Sequence, residues 1–176
     1  AGNRAVRRSV EVASVTGKGE EAIAKWLRSL GAQVHVRDGH TTAVSLASSP
    51  ITDREVAILQ ELPRLDELNL RATEISDLGV AHLSSIRTLK KLDVSHTLLS
   101  DSALEKLATL TSLQTLDLSH TLVEGSELGA LAGLTALREI NFSNTPLRNE
   151  GLALIGKLTG LEKLSLSYTD VSDEGI

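Results

Sequence analysis

The chain has 176 residues and a formal net charge of −5, and 41% of its residues are hydrophobic. This acidic balance excludes the broad basic face that nucleic acids and anionic membranes require, and the absence of cysteine excludes disulfides and thiolate metal ligands. No apolar run approaches the roughly 18 residues that indicate a transmembrane helix, so we expect no membrane insertion.

The first 40 residues are predicted to contain two segments. Residues 1–18 form an N-terminal extension, for which disorder, a short strand and a helix remain alternatives because its valines drift toward alternation. Residues 19–40 form a cap that consists of a helix plus a strand. Apolar residues of this segment recur at the spacing of one helix face: Ile23, Trp26, Leu27 and Leu30. Gly31 is typical of the position after a helix, and Trp26 is expected to cover the end of the core.

A hairpin is predicted to join the cap to the following residues. A two-residue turn at Asp38 would pair Val34 with Ala43 and would place the valines on the face opposite to Val44. A three-residue loop that ends at His40 pairs Val34 with Val44 and keeps one continuous apolar face. We favour the longer loop, because a one-residue slip exposes the core face of a strand.

Residues 41–176 repeat with a constant period. Six repeats begin 24 residues apart, at Thr41, Leu65, Leu89, Leu113, Leu137 and Leu161, and the last is incomplete. Self-similarity at a fixed period of about 20–29 residues indicates a solenoid. Because each repeat changes from alternating to helical apolar spacing, we expect an α/β solenoid. It has a curved parallel β-sheet on the concave side, short helices on the convex side and an N-terminal helix-hairpin cap. The incomplete repeat and the missing initiator methionine suggest part of a longer protein.

Two polar columns recur in the repeats and are interpreted as structural. A threonine column is predicted to hydrogen-bond to the backbone where the chain leaves the strand: Thr73, Thr97, Thr121, Thr145 and Thr169. A second column precedes the helical half and is predicted to supply helix N-caps: Asp53, Asp77, Asp101, Gly125, Asn149 and Asp173. No base accompanies each hydroxyl, so neither column predicts catalysis.

The outward-facing strand residues form the candidate binding surface, here called the concave face. In a solenoid these residues have no role in the core and are available to a partner. The surface is polar, and only Arg71, Arg138 and Tyr168 are typical interface anchors. The predicted partner-binding residues are Glu67, Asn69, Arg71, Lys91, Asp93, Ser95, His96, Asp117, Ser119, His120, Glu139, Asn141, Asn144, Lys163 and Tyr168.

One group of these residues has an alternative interpretation. Asp93, His96, Asp117 and His120 lie at equal positions of adjacent repeats and offer the ligand types of a divalent metal ion. The two repeats share the sequence LDxSHT, so duplication explains the pair of histidines equally well. We therefore predict no metal ligand, and a weak metal or small-ligand site at His96 and His120 stays an alternative.

No other motif indicates an enzyme. Residues 16–19 resemble the end of a phosphate-binding loop, but the earlier glycine and the hydroxyl after the lysine are missing. We expect no cofactor and no catalytic residues.

The repeats resemble leucine-rich repeat proteins. The resemblance covers residues 20–176 and is carried by segments such as LQTLDLSHT at 113–121 and ISD at 75–77. The threonine column and the 24-residue period are most similar to bacterial proteins, particularly those of planctomycete-type genomes. The resemblance implies protein–protein interaction, and many members of this family are attached to kinases, ligases or surface domains.

The predicted function is a non-enzymatic scaffold that binds a protein or peptide on the concave face. The main alternative is the recognition arm of a larger truncated enzyme or surface protein. We expect a monomer or an end-to-end dimer, because an open end of the stack exposes apolar side chains.

Overall fold

The computed structural model describes residues 18–173, which contain one strand in each repeat and a helical segment in each of the first five. The strands are β1 (Gln33–Arg37), β2 (His40–Ser45), β3 (Glu67–Asn69), β4 (Lys91–Asp93), β5 (Thr115–Asp117), β6 (Glu139–Asn141) and β7 (Lys163–Ser165). The α-helices are α1 (Glu20–Ser29), α2 (Asp53–Val56), α3 (Asp77–Leu83), α4 (Leu104–Leu107) and α5 (Asn149–Ile155). The 3₁₀ helices are Ala57–Glu61, Asp101–Ala103 and Leu128–Gly133. Within residues 18–173, no helix has both the length and the apolar character needed to span a membrane. The predicted N-terminal extension lies outside the described residues, apart from Lys18.

All seven described strands form one sheet in chain order. β1 pairs with β2 in antiparallel orientation, and each later strand pairs in parallel with the preceding one. Parallel neighbours require a crossover, which the helical half of each repeat provides. Leu92 pairs with Leu68 on one side and with Leu116 on the other. Residues at equal positions of successive repeats therefore form a row across the sheet. The predicted α/β solenoid is confirmed.

The core is a ribbon of apolar side chains between the sheet and the helices. Leu68, Leu92 and Leu116 are at most 2% exposed, and Leu104 packs into the same core from the helical side. Leu164 is 37% exposed, because β7 is the last described strand and has a neighbour on one side only. Each leucine therefore depends on both adjacent repeats for its burial.

The β1–β2 hairpin combines features of both predicted turns. Its turn has two residues, Asp38 and Gly39, with φ of 52° and 79°, so the predicted three-residue loop is wrong. Positive φ at both central residues is typical of the turns that join two-residue hairpins. Val34 nevertheless pairs with Val44, as predicted, because a bulge after His35 absorbs the one-residue offset. The apolar face therefore stays continuous without a longer loop.

Helix α1 covers the amino-terminal end of the ribbon. Ile23, Trp26 and Leu27 are at most 9% exposed and belong to the core. Gly31 follows the helix with φ of 88°, a left-handed conformation that ends helices. The predicted helix-hairpin cap is confirmed in its elements. The predicted boundaries between extension, cap and repeats stay a prediction.

The threonine column forms the predicted hydrogen-bond ladder. Each hydroxyl donates to the backbone carbonyl three residues earlier, at 2.6–2.8 Å. In the third repeat, for example, Thr97 donates to Val94 at 2.6 Å. Because Thr97 is only 4% exposed, a hydroxyl at this position needs an internal acceptor.

The aspartate column has a different role from the predicted N-caps. The N-caps of α2, α3 and the 3₁₀ helix at Asp101 are the preceding residues Thr52, Ser76 and Ser100, which have extended backbone. The following Asp77 accepts the Ser100 N–H at 2.8 Å and the Ser100 hydroxyl at 2.6 Å. The other pairs of this type are Asp53 with Ser76, Asp101 with Ser126 and Asn149 with Ser172. The prediction of aspartate N-caps is therefore wrong. The Asp and Asn members of the column connect their repeat to the next, whereas Gly125 in the fourth repeat has no side chain to do so.

Two glycines permit close contact between the fourth and fifth repeats. A Cβ on Gly151 would lie 2.9 Å from the Cα of Gly125, and Gly125 has φ of 100°. Backbone atoms cannot move aside as a flexible side chain can. We therefore expect Gly151→Ala to destabilise the chain by about 1–3 kcal/mol through overpacking, although alanine favours helices.

The matched control for this prediction is Gly129→Ala. A Cβ at Gly129 would have its nearest neighbour at 3.7 Å, which is ordinary contact. Chemical denaturation of both variants measures the difference. Equal stability of the two variants would contradict the close contact.

Glu20 connects helix α1 to the first repeat. Its carboxylate accepts the Thr41 N–H at 2.8 Å and lies 2.7 Å from Nδ1 of His40. Partial burial opposes ionisation of Glu20. The hydrogen bonds from Thr41 and His40 and the charges of His40 and Arg64 outweigh it, so the pKa of Glu20 lies below its usual value of 4.5.

Acid is expected to weaken this connection. Because the folded chain holds Glu20 ionised more strongly than the unfolded chain, the stabilisation is present above the unfolded pKa. It is lost as the pH falls through the lower folded pKa. The Tm of Glu20→Gln should therefore decrease less than that of the original chain on acidification from about pH 6 to pH 3. The exposed Glu21→Gln is the control and should follow the original chain; a Glu20→Gln curve parallel to both would refute the assignment.

Candidate binding surface

The concave face carries a shallow groove across the first five strands. Outward-facing residues alternate with buried ones along each strand, and equal positions of neighbouring strands lie side by side. The groove has a volume of about 470 Å³. It is lined by Gln33, His35, Ala43, Val44, Ser45, Glu67, Leu68, Asn69, Lys91, Leu92, Asp93, Thr115 and Asp117.

The first row of the concave face consists of the outward-facing residue before the inward-facing leucine or isoleucine of each strand from β3 to β7, namely Glu67, Lys91, Thr115, Glu139 and Lys163. Its charges are paired between strands. The Lys91 Nζ donates to Glu67 at 2.7 Å, and Lys163 lies 3.6 Å from Glu139. The hydrogen bond and the charge of Glu67 raise the pKa of Lys91 above its usual value. The row therefore alternates in sign along the sheet but has little local net charge.

The second row closes the turns at the ends of the strands. The Oδ1 atoms of its members accept the backbone N–H two residues later at 2.9–3.0 Å: Asn69, Asp93, Asp117 and Asn141. Such side-chain turns are typical of Asn and Asp. Oδ2 of Asp117 also accepts a hydrogen bond from Asn141 at 3.1 Å. Oδ2 of Asp93 accepts none from the part of the chain that the structure describes. The turns therefore use one side-chain oxygen of each member of this row, and the contact with Asn141 uses the second oxygen of Asp117.

Two of the predicted residues lie inside the molecule. Ser95 is 0% exposed and Ser119 is 5% exposed, so the prediction that they face a partner is wrong. The strand alternation ends here because the chain begins its turn. Their hydroxyls donate to Asp93 and Asp117 at 2.6 Å. At the same position of the second repeat, Arg71 is exposed and donates to the Ser95 Oγ at 3.1 Å.

Arg138, a predicted interface anchor, is engaged by the fold. Its Nη1 donates to the carbonyls of Thr135, Leu137 and Gly160 at 2.9–3.3 Å. Its Nε lies 3.4 Å from Glu162. The three carbonyls belong to the fourth and fifth repeats and Glu162 to the sixth, so Arg138 contacts three repeats and we do not count it among the binding residues.

The residues at the ends of the strands form a second surface, here called the exit edge. All have left-handed backbone with φ of 54–58°: Ser48, Ala72, His96, His120, Asn144 and Tyr168. The His96 N–H donates to the Ser119 carbonyl at 2.9 Å, which continues the ladder beyond the strands. The side chains of this column are exposed, and Tyr168 is 85% exposed. The predicted residues His96, His120, Asn144 and Tyr168 therefore do share one surface.

The two histidines contact each other through their rings. The ring centroids of His96 and His120 are 3.8 Å apart, with 16° between the planes. Nearly parallel rings direct their in-plane lone pairs side by side, whereas a chelate needs them to converge about 2.0–2.1 Å from one metal ion. Among the residues described, no three His, Cys, Asp or Glu side chains are grouped to hold a metal ion. The structure therefore gives no support to the alternative metal site.

The sequence analysis missed part of the groove. Gln33 and His35 line it because the bulged hairpin places them beside Ser45 and Ala43, in the same rows as the repeat strands. Thr115 lies between the two charged pairs of the first row. The predicted pairing of Val34 with Val44 was the signal that could have extended the rows into the cap.

Two exposed leucines were also missed. Leu98 and Leu122 are 61% and 58% exposed and occupy equal positions of adjacent repeats, directly after the threonine column. The other four repeats have Pro50, Glu74, Pro146 and Asp170 at this position, so the departure was visible in the sequence.

The turn role of Asp93 can be separated from any role in binding. Asp93→Ala removes the acceptor of the buried Ser95 N–H and is expected to cost about 1–3 kcal/mol. Asp93→Asn keeps Oδ1 as an acceptor and should remain close to the original stability, since the chain itself uses Asn69 and Asn141 in this row. Chemical denaturation measures the free energy of unfolding of both variants. Equal losses of stability in Asp93→Ala and Asp93→Asn would disprove the turn role.

Comparison with known proteins agrees with this architecture. A family model described as Leucine rich repeat matches residues 87–147, and a second model with that description matches residues 157–176. Among curated proteins, none matches this chain. These matches confirm the leucine-rich repeats that the sequence predicted. The similarity to planctomycete-type proteins stays a prediction.

Two solved structures with the same fold are internalins from Listeria monocytogenes. An internalin (inlF) has 21% identity and a TM-score of 0.56, with 85% of this chain and 45% of that chain covered. An internalin C2 has 24% identity and a TM-score of 0.57, with 75% of this chain and 64% of that chain covered. The chain therefore spans less than two thirds of either internalin, and the likeness concerns the fold.

Proposed function

We propose that this leucine-rich repeat protein is a non-enzymatic scaffold that binds another protein or a peptide on its concave face. The observation that carries the proposal is the groove across β1 to β5, lined by outward-facing polar side chains from five neighbouring strands. Loops and helices of the described chain do not line it. A partner can therefore reach the sheet directly.

The size of this surface favours a macromolecular partner. Six parallel strands spaced about 4.8 Å apart extend over roughly 25 Å, which exceeds most small metabolites. The groove is open rather than enclosed, whereas small-ligand sites bury most of the ligand surface. An extended peptide or a protein edge fits these dimensions.

The proposed contacts are the solvent-accessible members of the predicted set together with four further groove residues, Gln33, His35, Ser45 and Thr115. The core of the surface consists of Gln33, His35, Ser45, Glu67, Asn69, Arg71, Lys91, Asp93, Thr115 and Asp117. The flank toward the sixth repeat adds Glu139, Asn141 and Lys163, and the exit edge adds His96, His120, Asn144 and Tyr168. Tyr168 supplies the large exposed aromatic side chain that protein interfaces favour.

A charge exchange tests the concave face without a change in composition. The double variant Glu67→Lys/Lys91→Glu reverses the two ends of an exposed ion pair. Exposed pairs contribute about 0–1 kcal/mol, so the melting temperature should hardly change. Peptides selected on the original chain from a random displayed library should bind the variant at least about tenfold more weakly, a loss of about 1.4 kcal/mol.

The control exchanges charges on the other side of the molecule. Glu105→Lys/Lys106→Glu alters two exposed residues of α4 and keeps the composition as well. Selected peptides should bind this control as they bind the original chain. If the selected peptides bind the concave-face variant as tightly as the original chain but bind the α4 variant more weakly, the proposed face is wrong.

The recognition arm of a larger enzyme or surface protein is the alternative arrangement of the same scaffold. It differs from the first proposal only in what is joined to the repeats. Sequencing of the gene on both sides of the 176 residues distinguishes the two: continuation into a catalytic or surface domain supports the arm, and stop codons refute it.

A further inference from the structure

Two ionisable rings are in direct contact at the exit edge. His96 and His120 both have φ of 55°. Their N–H groups donate to the Ser119 and Ser143 carbonyls at 2.9 Å. Because the backbone of both residues is fixed by the ladder, the two side chains are held side by side. Their ring centroids are 3.8 Å apart, and a proton on each ring would place two like charges at that separation.

Charged groups around the two rings shift the pKa of His96 in opposite directions. Partial burial lowers the pKa of His96 below its usual value of 6.5, and the charges of Arg71 and His120 lower it further. Asp117 and Asp93 act against this and favour the proton. Arg71 comes from the preceding repeat, whereas the carboxylates come from the strands that carry the two histidines.

We propose that the stacked His96–His120 pair is a proton-sensitive element of the exit edge, closed while at most one ring is protonated and open when both are. Interacting groups of this kind take up protons in two steps that belong to the pair. The first proton leaves one neutral ring, which can still stack. The second proton separates the rings, because water solvates two cations better when they are apart.

The consequence for binding rests on the proposed scaffold function. A partner that reaches from the concave face to the exit edge meets a flat, uncharged stack near neutral pH and two separated cations in acid. Histidine changes charge between about pH 5 and pH 8, so contacts at this edge would depend on pH in that range.

The pair can be tested without a partner, by NMR titration of the imidazole resonances in the full chain. We expect the pKa of His96 to rise in His120→Asn and in Arg71→Gln, because each removes a group that opposes the proton. Asp93→Asn should lower it. Asparagine suits the left-handed backbone of the exit edge, as Asn144 shows in the fifth repeat, so His120→Asn is expected to fold.

The control is His82→Gln on helix α3, which should leave the His96 titration unchanged.

Cross-relaxation between the two rings should be present near pH 8 and lost near pH 5. A His96 pKa that is unchanged in His120→Asn, or ring contacts that persist in acid, would overturn the proposal. Either result would leave the proposed scaffold function untouched. Conversely, peptides that bind the Glu67→Lys/Lys91→Glu variant normally would contradict the scaffold proposal but not the histidine titration.

Discussion

The constant 24-residue register is the constraint on which the rest of the structure depends. One repeat alone cannot bury its leucines or satisfy the backbone of its strand, because each completes both through its neighbours. Leu92 is covered only when Leu68 and Leu116 lie beside it, and Leu164 shows the effect of a missing neighbour through its 37% exposure. An insertion that broke this register would displace every row of side chains at once.

The same register aligns two columns of polar residues beside the leucine core. The threonine ladder satisfies carbonyls within a repeat, whereas the aspartate column reaches forward to the next serine. The aspartate contact leaves no room for a side chain at the start of the next helix, because a Cβ on Gly79 would overlap the Asp53 carboxylate. The choice of a small residue in one repeat is therefore coupled to the side chain in the repeat before it.

The fold also limits which surface residues remain for recognition. Turn formation uses one oxygen of Asp93 and of Asp117, and Arg138 is occupied by three carbonyls. Other charged side chains of this face are paired across neighbouring strands, as Glu67 is with Lys91. Specific binding on such a surface depends on the differences between repeats rather than on their consensus.

The sequence by itself determined the solenoid, its core and the threonine ladder, because periodic patterns report which side chains face inward. It also identified the pairing of Val34 with Val44. Only the tertiary structure decided the contacts that depend on an adjacent repeat or on a change of backbone direction. The aspartates were expected to cap their own helices but bind the next repeat, and Ser95 was expected outside but is buried where the strand ends. The stack of His96 on His120 likewise arises from left-handed residues that follow neighbouring strands, a geometry that no linear spacing encodes.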